Sequence, residues 1–335
     1  MKIAILGAGT WGTALAALLT KNGHDTVLWS AIGEEIDILS KTHTHKNLSG
    51  AVLPERLKYE KDLERTVSET ELVLFVVPSA FMRTTARAAA QYIKDGAILI
   101  SAAKGIEPKT LKTMTEIIDD EMKSAGKSDY SLVALSGPTH AEEVAIGLPT
   151  SIVSACEDED VALTVANAFS ASCMRVYTNT DVLGVELAGA LKNIIAIASG
   201  INRGMGLGDN SQAMLMTRGA AEITRMGLAM GCKRRTFMGL AGIGDLIVTC
   251  TSQHSRNNRC GELIGKGKSY EKASREIGMV VEGYYALEAA IELSRKYGVE
   301  MPITEAVYDV IKNGKCVKDA MLALMNRNIK NELDT

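Results

Sequence analysis

The stretch "KIAILGAGTWGTALAALLTK" at residues 2–21 constrains the fold more than any other. Its first five residues are apolar after the leading lysine and read as a strand. Gly7, Gly9 and Gly12 follow at once, in the spacing GxGxxG. Residues 12–22 then place Ala14, Leu15, Leu18 and Leu19 on one helical face. A strand that turns on glycine straight into a helix opens a β-α-β unit. Gly7 permits the tight turn, Gly9 lets a ligand approach the backbone, and Gly12 lets helix and strand pack closely. The helix N-terminus then aims its N–H groups at an anion. In this frame the motif points to the pyrophosphate of a dinucleotide. Trp11, inside the loop, reads equally well as a lid over that ligand or as packing.

The alternation continues. "TVLW" (26–29), "LVLFVV" (72–77), "AILI" (97–100), "SLVAL" (131–135) and "SIVSA" (151–155) are short apolar runs with helical stretches between most of them. Continuous apolar strands separated by helices indicate a parallel sheet covered on both faces. Right-handed crossovers make it a doubly wound α/β sheet of the Rossmann type. After about residue 180 the pattern changes. Residues 182–201, 209–230, 234–242, 257–266, 270–276, 282–297, 302–313 and 316–327 read as helices, punctuated by "MGLGDN", "GLAGIGD" and "YGVEMPIT". The expected division is a dinucleotide-binding Rossmann-type domain over 1–180 and an all-helical domain over 181–335.

Charge and cysteine usage remove whole classes of function. The net charge is -3, from 37 Lys and Arg against 40 Asp and Glu, and no long basic run occurs. Nucleic acid and anionic membranes are therefore not expected as partners. Cysteines at 156, 173, 232, 250, 260 and 316 show no CxxC or other ligand spacing. They read as reduced thiols of a cytoplasmic protein. His43 and His45 read as a polar loop, and no metal is expected. The N-terminal stretch is expected to be a strand and not a signal peptide. The apolar segment 185–201 is interrupted by Glu186, Lys192 and Asn193 and is not expected to span a membrane.

That segment, "VELAGALKNIIAIASGI", contains the most puzzling residue. Lys192 is its only cation. On a helix its face is shared with Val185, Ala188, Gly189, Ile195, Ala196 and Ser199, none of them acidic. Glu186 lies about 120° round the helix, out of register. An unpaired ammonium in such a place is costly or loses its proton. Other polar residues sit where ligands bind in sheets of this type. Lys104 of "SAAKGIEP" follows an apolar strand and suits a phosphate or a carbonyl. In "LSGPTHAEEVA", Gly137 to Thr139 form a turn and Ala141 opens a helix, a usable anion site or a simple cap. "GLAGIGDLIVTCTSQHSRNNR" holds Asp245 in Gly-rich turns, with Ser255, Arg256 and Asn257 ten residues on. Those three suit phosphate oxygens, or else a loop and N-cap. Glu282 of "GMVVEG" alone reads as a first-turn helix charge. After the second strand the chain reads "LWSAIGEE". Ser30, Ala31 and Ile32 offer neither the acid that favours NAD nor the arginine that favours NADP. Glu34 and Glu35 come a few residues late and read as a helix start.

In order, "GAGTWGTALA", "KGIEP", "LSGPTHAEEVA", "VELAGALKNIIAIASGI", "GLGDNSQAMLMTRG", "GIGDLIVTCTS", "HSRN", "VVEG" and "MPITEAVY" resemble the bacterial NAD(P)-dependent glycerol-3-phosphate dehydrogenases over most of the chain. The resemblance implies reversible reduction of dihydroxyacetone phosphate to sn-glycerol 3-phosphate, with Lys192 as the catalytic acid/base. It implies substrate contacts from Lys104, Gly137, Thr139, Lys192, Asp245, Ser255, Arg256 and Asn257. It implies cofactor contacts from Gly7, Gly9, Thr10, Trp11, Gly12, Lys104, Ala141, Arg256, Val280 and Glu282. It further implies a cytoplasmic homodimer that supplies glycerophospholipid synthesis, with the active site between the two domains. Two departures stand out. Ile32 occupies the place of an expected arginine, which leans the cofactor from NADP towards NAD. "HKNLSGAVLP" keeps His45, Asn47, Leu53 and Pro54 but lacks the family's tyrosine. The rival enzyme reading is another β-hydroxyacid dehydrogenase of the same two-domain type. A non-catalytic dinucleotide sensor would need the glycines but neither Lys192 nor Ser255–Asn257.

Overall fold

Eight strands form one sheet: β1 (Lys2–Leu6), β2 (Asp25–Trp29), β3 (Lys58–Glu60), β4 (Leu72–Phe75), β5 (Ala97–Ser101), β6 (Tyr130–Ser136), β7 (Thr150–Ala155) and β8 (Met174–Asn179). Their order is β3-β2-β1-β4-β5-β6-β7-β8 in a computed structural model that describes residues 1–329, 331 and 332. The chain divides into two compact units, residues 1–104 with 113–182, and residues 105–112 with 183 onward.

The first unit is the doubly wound α/β sheet, and both of its faces are dry. Ile3, Ile5, Leu72, Leu74, Ile100 and Val133 pack on one side. Ala4, Leu6, Val73, Phe75 and Leu99 pack on the other. This two-sided burial is why these strands lack the alternation of a half-exposed sheet. The order reverses at β1, which lies between β2 and β4, so the crevice beyond the ends of β1 and β4 is the switch point where ligands bind. The sheet is parallel except between β6 and β7. The link between those two carries only the five-residue helix Ala141–Ala145. Such a helix spans about 8 Å, far short of the roughly 23 Å needed to return along seven-residue β6, so the chain comes back antiparallel. β3 and β8 carry no sequence signal. β3 has three residues, and β8 is an edge with mostly uncovered side chains.

The second unit is helical and is built round Val182–Gly204. That helix is buried from Gly184 to Asn202. By length and composition alone it could cross a membrane, but its burial makes it a core helix. It crosses the helix Arg256–Gly265 with almost no side chain between them. A Cβ on Gly200 would lie 1.9 Å from the Asn258 carbonyl oxygen, and one on Gly261 would lie 2.0 Å from that of Ile197. Gly204 and Gly265 repeat the arrangement one turn on. Backbones this close gain dispersion and Cα–H···O contact that larger residues would prevent. The helix expected over 234–242 is broken into Arg234–Phe237 and a π-helical turn, Leu240–Gly244. A Cβ on Gly242 would meet the Phe237 carbonyl oxygen at 2.1 Å, so the chain rewinds there before the helix Asp245–Thr251 begins.

One acid is spent inside this unit. Buried Glu222, on the helix Asp209–Ala229, accepts hydrogen bonds from Ile303 N at 2.6 Å, Thr304 N at 3.2 Å and Thr304 Oγ1 at 3.2 Å. It thereby caps the helix Pro302–Lys312. Burial pushes its carboxyl from 4.5 up to about 7, against the pull of these donors and of Arg225. The folded value exceeds the unfolded one, so the folded chain binds the proton more tightly between pH 4.5 and 7. Stability should fall as pH rises through that window. Thermal unfolding across it should show the decline in the parent protein and a flatter profile in Glu222→Gln. Gly261→Ala should lower stability by about 1–3 kcal/mol or more, read from denaturant midpoints, because both crossing backbones would have to separate.

Candidate active site

In the first unit the glycine loop is shaped by what surrounds it. Gly7 leaves β1 at φ +123°, and a Cβ there would lie 2.6 Å from the Val76 carbonyl oxygen. A Cβ on Gly12 would lie 1.9 Å from the Gly7 carbonyl oxygen. Gly9 instead faces open space, with no atom within 4 Å of such a Cβ. The helix Thr10–Lys21 begins there with no side-chain cap and no acid in its first turn. Its N–H groups are therefore left for an anion. The Thr10 hydroxyl is buried and has no hydrogen-bond partner among the described residues. An uncapped helix end, an open Gly9 and an orphaned hydroxyl together fit a dinucleotide pyrophosphate. Trp11 is half-buried and packs with Leu48, Ala51 and Ala141, so the structure brings Trp11 and Ala141 together by packing.

Lys104, Gly137 and Thr139 also meet. Lys104 Nζ donates to the Gly137 carbonyl oxygen at 3.0 Å, and Thr139 Oγ1 donates to the same atom at 3.1 Å. A Cβ on Gly137 would lie 3.0 Å from Ile152 Cα, so the residue must be small for the turn to close.

In the second unit the isolated lysine finds its counter-charge. Lys192 is 4 % exposed and Asp245 1 %. Lys192 Nζ donates a very short hydrogen bond to Asp245 Oδ1 and another, at 2.5 Å, to Thr249 Oγ1. Thr249 Oγ1 in turn donates a hydrogen bond to the Asp245 carbonyl oxygen at 2.6 Å. No motif marks Thr249. Its only signal is its place one helical turn after Asp245, which the Gly-rich sequence before it masks. The partner absent from the lysine's own helix comes from a neighbouring one.

Ser255, Arg256 and Asn257 form the start of the helix Arg256–Gly265. Ser255 is its N-cap, accepting from Asn258 N at 3.2 Å. The N–H groups of Arg256 and Asn257 face out of the helix end. The Asn257 amide is used internally. Its Nδ2 donates to Asn193 Oδ1 at 2.9 Å, and its Oδ1 accepts from Gly283 N at 2.9 Å. Asn257 therefore ties its helix to the Lys192 helix and to Glu282–Tyr297. A Cβ on Gly283 would lie 2.7 Å from the Asn193 carbonyl oxygen, which seats Glu282 at that junction with half-buried Val280 just before it. Behind it, Asn258 Nδ2 donates to Ser199 Oγ at 3.0 Å and to the Cys250 carbonyl oxygen at 2.8 Å. All six cysteines are free thiols, and the described residues contain no cluster of three or more His, Cys, Asp or Glu able to hold a metal.

The two units match, in turn, the family models for the N-terminus (residues 2–162) and the C-terminus (residues 181–322) of NAD-dependent glycerol-3-phosphate dehydrogenase. The chain belongs to this family. It is 55 % identical over 333 residues, 99 % of each chain, to glycerol-3-phosphate dehydrogenase [NAD(P)+] 2 of Lactobacillus delbrueckii subsp. bulgaricus. It is 48 % identical over 334 residues to the Bacillus cereus glycerol-3-phosphate dehydrogenase [NAD(P)+], covering 99 % of this chain and 98 % of that one. Among solved structures, the glycerol-3-phosphate dehydrogenase of Coxiella burnetii superposes with a TM-score of 0.92 at 34 % identity, covering 97 % of this chain and 99 % of that one.

Within this dehydrogenase fold the Lys192–Asp245 pair can be tested on its own. Asp245→Ala should destabilise the protein by about 3–5 kcal/mol, because it leaves a buried ammonium uncompensated. The double variant Lys192→Met/Asp245→Leu should recover most of that loss in the same denaturant titration.

Proposed function

We propose that the chain reversibly reduces dihydroxyacetone phosphate to sn-glycerol 3-phosphate, with Lys192 as general acid and base. The observation that carries this is the buried Lys192 ammonium, held by Asp245 and Thr249 on the helix that leads towards Ser255. Reduction at C2 builds negative charge on the carbonyl oxygen. Lys192 stabilises that charge and delivers a proton to the oxygen. In the reverse direction the neutral amine takes the hydroxyl proton as C2 gives up hydride. A bound nicotinamide dinucleotide supplies or accepts that hydride. Asp245 and Thr249 hold Nζ in one place, so proton transfer need not wait for the long side chain to order.

The substrate phosphate is read at Ser255 and Arg256. The serine hydroxyl, the guanidinium and the first-turn N–H groups can all donate to it there. Asn257 contributes its backbone N–H and fixes the helix by its side chain. Lys104, with Gly137 and Thr139, adds a second set of polar contacts to the substrate. Gly7, Gly9, Thr10, Trp11, Gly12 and Ala141 would hold the dinucleotide, with Arg256, Val280 and Glu282 as further contacts. The product is the backbone unit of glycerophospholipids, which supports a role in supplying their synthesis.

The test is Lys192→Ala. Turnover of dihydroxyacetone phosphate with NADH should fall by about 10²–10⁴-fold. Dinucleotide affinity, titrated separately, should stay within a few-fold of the parent. Turnover near the parent value would sink the acid/base role. Running 6-phosphogluconate and 3-hydroxyisobutyrate, with NAD, beside dihydroxyacetone phosphate separates this reading from a β-hydroxyacid dehydrogenase.

A further inference from the structure

We propose that Glu35, held at the end of β2 by Ser30, makes this chain select NADH over NADPH. The proposal rests on the reading that the first unit binds a nicotinamide dinucleotide at its glycine loop. The sequence places Glu35 too late to act as the acid that follows the second strand, and the helix Gly33–Thr42 does begin there. The fold nevertheless bends that residue back. Gly7 N donates to the Trp29 carbonyl oxygen at 2.8 Å, which sets Ser30, the next residue, beside the glycine turn. Ser30 is buried, and its hydroxyl donates to Glu35 Oε2 at 2.7 Å while accepting from Ile32 N at 3.1 Å. The Glu35 carboxylate is thus fixed over the end of β2. Ser30 is its only hydrogen-bond donor among the described residues.

Half-buried Glu35 has acceptor capacity to spare at the place where a dinucleotide's adenosine ribose lies in a sheet of this order. The 2′- and 3′-hydroxyls of NADH can donate to it. The 2′-phosphate of NADPH cannot donate and brings like charge against the carboxylate. Ile32, where a guanidinium would clamp the phosphate, is apolar and 58 % exposed. Lys61 lays its stem 3.4 Å from where a Gly33 Cβ would be, but its ammonium is on Asp37 at 2.6 Å. His45, within electrostatic reach of Glu35, is pushed below its ordinary value by burial, which disfavours its charged form. Selection therefore acts twice, by attraction of the hydroxyl form and by repulsion of the phosphorylated one.

The experiment is calorimetric titration of the full chain with NADH and with NADPH, for the parent and for Glu35→Gln. The parent should bind NADH at least about tenfold tighter than NADPH. Glu35→Gln should bind NADH a few-fold more weakly and NADPH more tightly, so the two affinities converge. Equal affinities in the parent would overturn the proposal. So would a parallel loss of both cofactors in the variant, which is the mark of a merely structural role. Binding of neither dinucleotide by the parent would overturn the dinucleotide reading, and this proposal with it.

Discussion

A charged nitrogen inside an apolar core is tolerated only if an opposite charge is brought to it. Lys192 imposes that condition on the helical unit. Its own helix offers no acid in register, so Asp245 has to arrive from a second helix with its carboxylate already in place. The π-helical turn Leu240–Gly244 sets the start of that helix, and Thr249 completes the grip one turn later. A pair buried this deeply adds little to stability compared with an apolar replacement. What the pair does is hold an ammonium at a defined point.

Backbone contact does the rest of the positioning. Gly200, Gly204, Gly261 and Gly265 let two helices touch main chain to main chain. That contact fixes where the second helix begins, and so where Ser255, Arg256 and Asn257 stand. Asn193, Asn257 and Gly283 then lock a third helix to the same place. The glycine loop of the sheet follows the same rule. Gly7 and Gly12 are small because carbonyl oxygens occupy the space of a side chain, while Gly9 is small because space is left open. One residue type serves close packing at two positions and leaves open space at the third.

Much of this was legible in the chain. The β1–glycine–helix signature, the apolar runs of the inner strands and the change to helical spacing near residue 180 rest on local periodicity, and they locate the sheet and the helical unit well. β3 and β8 escaped because three residues, or a mostly uncovered edge, carry too little pattern. The antiparallel turn of β7 depends on the length of a connecting helix and not on the strand itself. Thr249 and Ser30 carried no signal, since a hydroxyl on a helix or after a strand is common. The neighbours of Asn257 point to a phosphate, and no local pattern shows that its side chain also joins helices far apart in sequence.

The sequence by itself determined the inner strands and the long helices, where the glycine loop lies, and that one lysine sits in an apolar helix. These follow from short-range rules: the pleat, the helical turn and the reach of a glycine. Only the tertiary structure decided that Asp245 and Thr249 both reach that lysine, which groups the Asn257 side chain ties together, and that Glu35 bends back onto Ser30. Hydrogen bonds act over about 3 Å, and the chain brings Lys192 and Asp245 within that range across 53 residues. No local pattern encodes such a meeting, because it depends on how whole helices pack.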